Sequence, residues 1–415
     1  MRVLLVSKYL RQLGGVETYV GWLSAALADA GHEVALLGMD EPAGSSALWR
    51  QGQRVWFSPS RDFHGSLSQK VGGAALSVYA PGVRRLLDAA LREFRPDAVH
   101  FHGTCYQLTP SVFASVRAQG VPALLTAHEY KLVCANQRLW DDSRGQECYA
   151  CVGLSPRAKA REVIRRRCVK ASAGPSVLAA LEQPLSQALV RKAGIRFHAP
   201  SRYMESVLRA DGYSPESVHY ADLPWTPAKP AGNVRARTSI VYIGRLAVEK
   251  GVDRLLRAWP TVAATWPGVR LRVAGDGPER PALESLAGRL DLDGVEFTGR
   301  YEPHELDSLL SDALATVHPS VWAENSPFTV RESLMRGVPA LVSDRGGLPE
   351  MVSPATGSVV DPDDVAHLAA VIAREIATPR AGSEELAAAV ELRRVTAERH
   401  LDWLTGRYAN LGASG

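Results

Sequence analysis

Short apolar runs recur along the chain, each followed by a stretch with apolar residues at helical spacing. Val3-Leu4-Leu5-Val6 predicts a buried strand, and Leu13-Gly14-Gly15-Val16-Glu17 predicts a glycine turn. A helix then runs from about Thr18 to Ala30, stops at Gly31, and is followed by a strand at His32–Leu37. Residues 41–80 carry Gly, Ser and Pro with little periodicity and read as loops. Pro81–Arg95 has the pattern of an amphipathic helix, and 96–102 and 123–126 read as strands with polar residues at or beyond their ends. The run 196–201 reads as the last strand of the first half. Residues 221–238 are rich in Pro, Ala and Gly without periodicity and form a linker. Strands resume at Ser239, Leu271, Val295 and Ala315, and one long helical pattern runs from Glu384 to about Asn410. This alternation predicts an α/β fold of two doubly wound, Rossmann-like domains, 1–222 and 223–395, followed by a C-terminal helix, 396–415.

The length of 415 residues allows two to three domains, and 46% hydrophobic with 22% charged residues is ordinary for a globular chain. A net charge of +4 is too small to argue for nucleic acid. The Val3–Val6 run is too short for a signal peptide, and no apolar run approaches the roughly 20 residues of a membrane span. The expected location is cytoplasmic. In that compartment the five cysteines are thiols or metal ligands rather than disulfides.

The densest candidate chemistry lies in Trp322–Glu350. Ser326 suits an N-cap and Pro327 the first helical position, so a helix should run through Phe328, Val330, Leu334 and Met335 and stop at Gly337. Glu324 then lies on the loop before the helix and Glu332 one to two turns into it. Between the two acids is a helix N-terminus, with unpaired N–H groups and a positive dipole end. That is a place for an anion, flanked by carboxylates that accept hydrogen bonds from hydroxyls. Upstream, a strand ends at Gly244, Arg245 follows, and Lys250 comes five residues later. Arg offers phosphate oxygens a planar fork and Lys a compact charge. The chain lacks G-x-G-x-x-G after its first strand, which argues against a dinucleotide site. Together these residues suggest a phosphorylated, hydroxyl-rich ligand such as a nucleotide-sugar.

Three other features carry candidate roles. Gly14-Gly15 reads on its own as an ordinary tight turn. Cys134, Cys148, Cys151 and Cys168, with 13, 2 and 16 residues between them, fit a four-thiolate structural zinc site in an insert, 134–168. Unliganded thiols or a disulfide are the alternatives, and Cys105 falls outside the set as a core residue. Arg157–Lys170 holds seven Lys or Arg and one acid, Glu162, and reads as a solvated face or a peripheral contact with an anionic membrane. Asp141-Asp142 in the insert reads as a polar turn.

The ordered set Glu324, Glu332, Gly337, Pro339, Ser343, Asp344, Gly346, Gly347 and Glu350 resembles the retaining GT-B glycosyltransferases of family 4. So do the Gly244-Arg245-Leu246…Lys250-Gly251 run and the Gly275-Asp276-Gly277-Pro278 turn. The text His128-Glu129-Tyr130-Lys131-Leu132-Val133-Cys134 resembles a bacterial polysaccharide-type subgroup with a cysteine-bearing insert. The resemblance implies two domains facing across a cleft, with the C-terminal helix crossing back onto the first. It implies transfer of a sugar from a UDP- or GDP-sugar to a hydroxyl acceptor of a glycan, glycolipid or small natural product. Arg245 and Lys250 would clamp the diphosphate without a catalytic metal. Asn325, Ser326, Pro327, Phe328 and Thr329 would line the donor site, Glu332 would hold the ribose and Glu324 the donor sugar. Gly14, Gly15 and His128 would face the donor from the first domain. The rival readings are a GT-B-like nucleotide-sugar epimerase and a non-catalytic nucleotide-sugar-binding protein.

Overall fold

The structure is a computed structural model that describes residues 1–12, 14–39, 47–58, 73, 75–104, 108–225 and 237–411. Cys105, Leu13, most of the 41–80 segment and the middle of the linker lie outside the described residues. The chain divides into two compact units. One holds Met1–Arg144, Cys148–Asp222 and Ala397–Gly415, and the other holds Gly145–Glu147 and Leu223–Thr396.

The first unit is built on a parallel sheet of β1 (Arg2–Ser7), β2 (Glu33–Met39), β3 (Arg54–Ser58), β4 (Ala98–His102), β5 (Ala123–Thr126), β6 (Arg196–Ala199) and β7 (Val218–Tyr220). The strand order is β3-β2-β1-β4-β5-β6-β7. Val3, Leu4, Leu5 and Val6 are fully buried, because helices cover both faces of a parallel sheet and leave no alternating solvent side. Two strands depart from the sequence reading. Arg54–Ser58 forms an edge strand where loops were expected, its Val-Trp-Phe core being a β-forming run too short to show a period. Val218–Tyr220 adds a strand after Arg196–Ala199, which is therefore not the last.

The second unit carries β8 (Ser239–Ile243), β9 (Arg270–Ala274), β10 (Val295–Gly299), β11 (Ala313–His318), β12 (Ala340–Ser343) and β13 (Gly357–Val360) in a parallel sheet ordered β10-β9-β8-β11-β12-β13. In both sheets the order reverses beside the first strand, which places a ligand crevice beyond the carboxyl ends of β1 and β4, and of β8 and β11.

The C-terminal segment also differs from the single helix expected. Helix Glu384–Arg393 ends at Arg394, and helix Ala397–Asn410 begins three residues later. At the break, Arg394 leaves the helical region (ψ 119°) and the Val395 carbonyl accepts from Trp225 N–H at 2.9 Å. Leu386 and Val390 of the first piece pack with Trp225 and Val330 in the second unit. The second piece belongs to the first unit and buries His400, Leu404 and Tyr408, four residues apart on one helical face.

Candidate active site

In the second unit, glycines bring three loops close enough to build a site. The loop after β8 packs backbone to backbone on the loop after β9: a Cβ on Gly275 would lie 1.8 Å from the Gly244 carbonyl oxygen. Arg245 sits exposed at the tip, its carbonyl accepting from the Tyr242 hydroxyl at 2.8 Å. A short 3-10 turn, Val248–Lys250, ends at Gly251 in the left-handed region (φ 66°). A Cβ on Gly251 would lie 2.0 Å from the Pro319 carbonyl oxygen, so that turn lies directly against the segment after β11. Val321 N–H donates to the Glu249 carbonyl at 3.0 Å and holds the two together.

This junction sets Lys250 Nζ on the Glu324 carboxylate as an ion pair. The Ser320 hydroxyl donates to the same carboxylate at 2.9 Å, and the Lys250 ammonium lies 5.3 Å from the centre of the Trp322 ring. Glu324 is also fixed through its backbone, because Gly347 N–H donates to its carbonyl at 2.7 Å. Gly346 (φ 62°) approaches so closely that a Cβ would lie 2.1 Å from that carbonyl oxygen.

The helix after Glu324 runs Phe328–Met335 and is capped by Pro327, one residue later than the sequence reading. Ser326 is not the N-cap: its hydroxyl receives Arg331 Nη2 at 2.5 Å and its carbonyl receives Nη1 at 3.0 Å. The guanidinium of a residue one turn inside the helix outcompetes the helix amides for that oxygen. Gly337 (φ 69°) follows the helix end. Asn325 is buried, while Ser326, Pro327, Phe328 and Thr329 are half-buried around the helix start. Glu332 lies on the helix; burial raises its carboxyl pKa, with Arg336 and Arg331 pulling it back down. It lies near enough to Tyr301 to help raise the phenol pKa, which burial raises most. Burial, and then Lys250, lowers His318 to about 3 and keeps it neutral at the end of β11.

In the first unit, exposed Gly14 and Gly15 open the helix Gly15–Asp29. The Gly14 carbonyl accepts from Thr18 N–H and from the Thr18 hydroxyl, each at 3.0 Å. Buried Glu17 has a raised pKa from burial, opposed by Lys8 and reinforced by Glu129. His128 follows β5, its Nε2 3.2 Å from His102 Nδ1. A buried polar chain continues behind it. His100 Nδ1 is 2.6 Å from the Tyr408 hydroxyl, and His100 Nε2 is 2.7 Å from Thr126 Oγ1, which lies 3.0 Å from His198 Nδ1. Tyr19 Oη lies 2.8 Å from His400 Nε2. Burial, then His198, lowers His128 to about 3, and burial lowers His198 to about 4, so these imidazoles are neutral near pH 7.

The structure thus gathers Lys250, Glu324, the helix start at Phe328 and Glu332 in one unit, and Glu17, Glu129 and His128 in the other. Sequence reasoning passed over Ser320, Trp322 and Tyr242, which hold the first set. It also passed over Lys131, Glu182 and Ser186, which line a cavity beside His128. Lys131 stands three residues after His128, a signal that was available; Glu182 lies mid-helix with none.

The insert departs from expectation in part. Burial pushes the Cys151 and Cys168 thiols up to about 12, with Cys134 adding to both. No group of three or more His, Cys, Asp or Glu among the described residues is arranged to hold a metal ion. Buried Asp141 ends the two-residue strand Trp140–Asp141 and holds the polar turn after it, accepting from Ser143 N–H at 3.0 Å and from its hydroxyl at 2.6 Å. Lys159 does not join the basic surface: it is buried, 2.6 Å from Asp211 Oδ2. No helix among the described residues is long and apolar enough to cross a membrane.

Two family models match the chain: "Glycosyl transferase 4-like domain" over residues 14–223, and "Glycosyl transferases group 1" over 229–390. A GDP-mannose-dependent alpha-mannosyltransferase of Mycolicibacterium smegmatis is 28% identical over 377 residues, covering 88% of this chain and 85% of the relative. A glycogen synthase of Mycobacterium tuberculosis is 26% identical over 423 residues, covering 98% and 92%. Among solved structures, a sucrose-phosphate synthase from Thermosynechococcus elongatus superposes with a TM-score of 0.71 at 19% identity, covering 100% of both chains. Anabaena HepE, solved with UDP and glucose, gives 0.65 at 15% identity over 100% of this chain and 99% of that one. The folds agree, and both halves of the chain match one kind of enzyme: the protein belongs to the family 4, group 1 glycosyltransferases and is a nucleotide-sugar-dependent glycosyltransferase of GT-B fold.

Proposed function

We propose that the enzyme transfers a hexosyl group, with retention, from a UDP- or GDP-sugar to a hydroxyl of a glycan, glycolipid or small natural product. The observation that carries this reading is the Lys250–Glu324 pair beside the start of helix Phe328–Met335. It sets a cation for the departing phosphate next to a carboxylate for sugar hydroxyls. Departure of the nucleoside diphosphate builds charge on its terminal phosphate, and catalysis requires that this charge be met more strongly in the transition state than before it. Arg245, Lys250 and the first helix amides supply that field. Glu332 accepts from the ribose hydroxyls and Glu324 from those of the donor sugar. Neither Glu324 nor Glu332 acts as nucleophile. The leaving phosphate oxygen takes the acceptor proton on the face from which it departs. The GDP-mannose-dependent relative supports a GDP-sugar, and HepE's bound UDP supports a UDP-sugar. Thermal-shift screening against UDP-, GDP-, ADP- and dTDP-sugars tests the donor, because a ligand of the native state raises the melting temperature. No shift with any of them sinks the proposal. The anomeric coupling of the product, read by NMR, tests retention.

Two further assignments belong to this reading. The exposed cations Arg157, Arg161, Arg167 and Lys170 flank exposed Ile164, Val177 and Leu181 on helices Pro156–Arg166 and Ala173–Lys192. Cations beside exposed apolar side chains suit the inner surface of an anionic membrane. Sedimentation with vesicles containing phosphatidylglycerol, but not with pure phosphatidylcholine, is the expected result. Cys134, Cys148, Cys151 and Cys168 are assigned to a structural zinc. Supporting this, burial raises the Cys134, Cys151 and Cys168 thiols, and other cysteines of the set add to the rise in each. Binding would require the four thiols to ionise and close on the ion. Protein purified without chelator and free of zinc would remove the assignment.

A further inference from the structure

Helix Phe328–Met335 starts one residue later than its sequence suggests, and a single side chain is the cause. A helix begun at Ser326 would use both polar oxygens of that residue. The carbonyl would accept the first intrahelical N–H, and the hydroxyl would cap the amide of Phe328 or Thr329. Arg331 engages both instead: Nη1 donates to the carbonyl at 3.0 Å and Nη2 to the hydroxyl at 2.5 Å. Pro327 is left in the cap position, where it has no polar side chain to offer. The first amides of the helix, which have no partner within the helix, therefore carry no side-chain cap.

Arg331 is held in that grip by its surroundings. It is 2% exposed, and its guanidinium carbon lies 5.9 Å from the centre of the Trp225 ring and 5.7 Å from that of Phe328. At that range an aromatic face attracts a guanidinium. Trp225 is fixed in turn: it is buried, and its backbone N–H donates to the Val395 carbonyl. For stability alone the arrangement is a poor one, because a serine hydroxyl caps a helix without any charge being buried. What it leaves is an uncapped helix start a few residues beyond Glu324, which carries the ion pair with Lys250.

We propose that Arg331 is a positioning residue for the nucleotide-sugar: by holding the Ser326 hydroxyl away from the helix, it keeps the first amides of Phe328–Met335 open to the diphosphate. The proposal rests on the transferase reading above. Two nitrogens of the guanidinium are taken up by Ser326, so Arg331 acts through that residue. Without the guanidinium the hydroxyl turns to the helix, and a phosphate must displace it to reach the same amides.

Calorimetry with UDP and with GDP on the full chain tests it, in the wild type, Ser326→Ala, Arg331→Met and the double variant. Arg331→Met should weaken the nucleotide by about fivefold to tenfold, the scale of one helix cap. The sign of the Ser326→Ala effect should then depend on the background. In the wild type, loss of the hydroxyl should not strengthen binding. In Arg331→Met it should strengthen binding about fivefold, since no hydroxyl is left to compete for the amides. Hydrogen exchange without nucleotide gives an independent reading: the Phe328 and Thr329 amides should exchange about tenfold more slowly in Arg331→Met than in the wild type, because the hydroxyl now caps them. A merely structural Arg331 would lower the melting temperature and the affinity with no recovery. Should Arg331→Met not fold, Arg331→Lys takes its place in the same cycle, because one ammonium cannot fork across both acceptors. The proposal is overturned if Ser326→Ala restores no affinity in the Arg331 variant, or if amide exchange there matches the wild type. Failure of the wild-type protein to bind either nucleotide overturns the transferase reading instead, while the exchange comparison still decides what Arg331 does to the helix start.

Discussion

Lys250 and Glu324, 74 positions apart, meet as an ion pair in which each side chain stays partly open to solvent, 23% for the lysine and 10% for the glutamate. Each therefore pre-positions the other in the absence of ligand. On the proposed reading, a diphosphate that draws on Lys250 releases Glu324 toward sugar hydroxyls. Glu324→Gln should lower transfer by roughly 10²- to 10³-fold, the scale of a lost transition-state contact. Gln keeps the shape of the side chain and still accepts hydrogen bonds through its amide oxygen, so the fold should survive the change. Steady-state kinetics with a melting control decides it; normal turnover in the folded variant would refute the role.

Gly346 backs the Glu324 carbonyl. A Cβ there would meet it at 2.1 Å, in a backbone conformation (φ 62°) that side chains disfavour. Gly346→Ala should cost about 1–3 kcal/mol of stability and displace Glu324. A tenfold loss of transfer corresponds to only about 1.4 kcal/mol in the barrier, so at least that loss is expected.

The buried histidines make the first unit acid-sensitive. Folded His128 titrates at about 3 and His198 at about 4, against roughly 6.5 in an unfolded chain. Between those values the unfolded chain binds more protons, so stability is full above about pH 6.5 and falls as pH drops toward 4. Each such histidine contributes a slope of about 1.4 kcal/mol per pH unit. Urea unfolding followed by tryptophan fluorescence at several pH values should show the midpoint falling through this window. A flat profile would contradict the buried network.

Lys159 points inward to Asp211, whose carboxyl also receives Gly153 N–H at 3.0 Å and Gln187 Nε2 at 3.1 Å. Lys159→Met leaves that carboxylate buried without its counter-charge and should cost about 3–5 kcal/mol in denaturant titrations. It should not change binding to anionic vesicles, whereas Arg161→Glu with Arg167→Glu should weaken it.

Tyr408 anchors the last helix through His100. Tyr408→Phe leaves a buried imidazole nitrogen short of a partner and should destabilise the first unit by about 1–3 kcal/mol. Hydrogen exchange in Ala397–Asn410 should speed up while that of the second unit stays unchanged.

Much of this protein could be read along the chain, because its determinants are local. Val3–Val6 and Ala123–Thr126 are apolar runs that a parallel sheet buries on both faces, so their strands were legible without partners. Arg245 and Lys250 follow a strand end, Glu324 precedes a helix start and Glu332 lies inside that helix, positions that turn and cap chemistry mark in the sequence. Residues whose role depends on what lies across space were not legible. Lys159 belongs to a basic run by sequence, but the fold turns it onto Asp211. Ser326 had the chemistry of a cap, but Arg331 took its hydroxyl. The helical pattern from Glu384 to Asn410 gave no sign that Val395 would bond Trp225 and split it in two. The sequence by itself determined the two α/β units and the identity of the charged groups. Only the tertiary structure decided that Lys250 and Glu324 are partners and that Lys131 and Glu182 face a cavity. Ion pairing between distant residues is set by backbone approach, and here that approach rests on glycines whose neighbours lie far away in the chain.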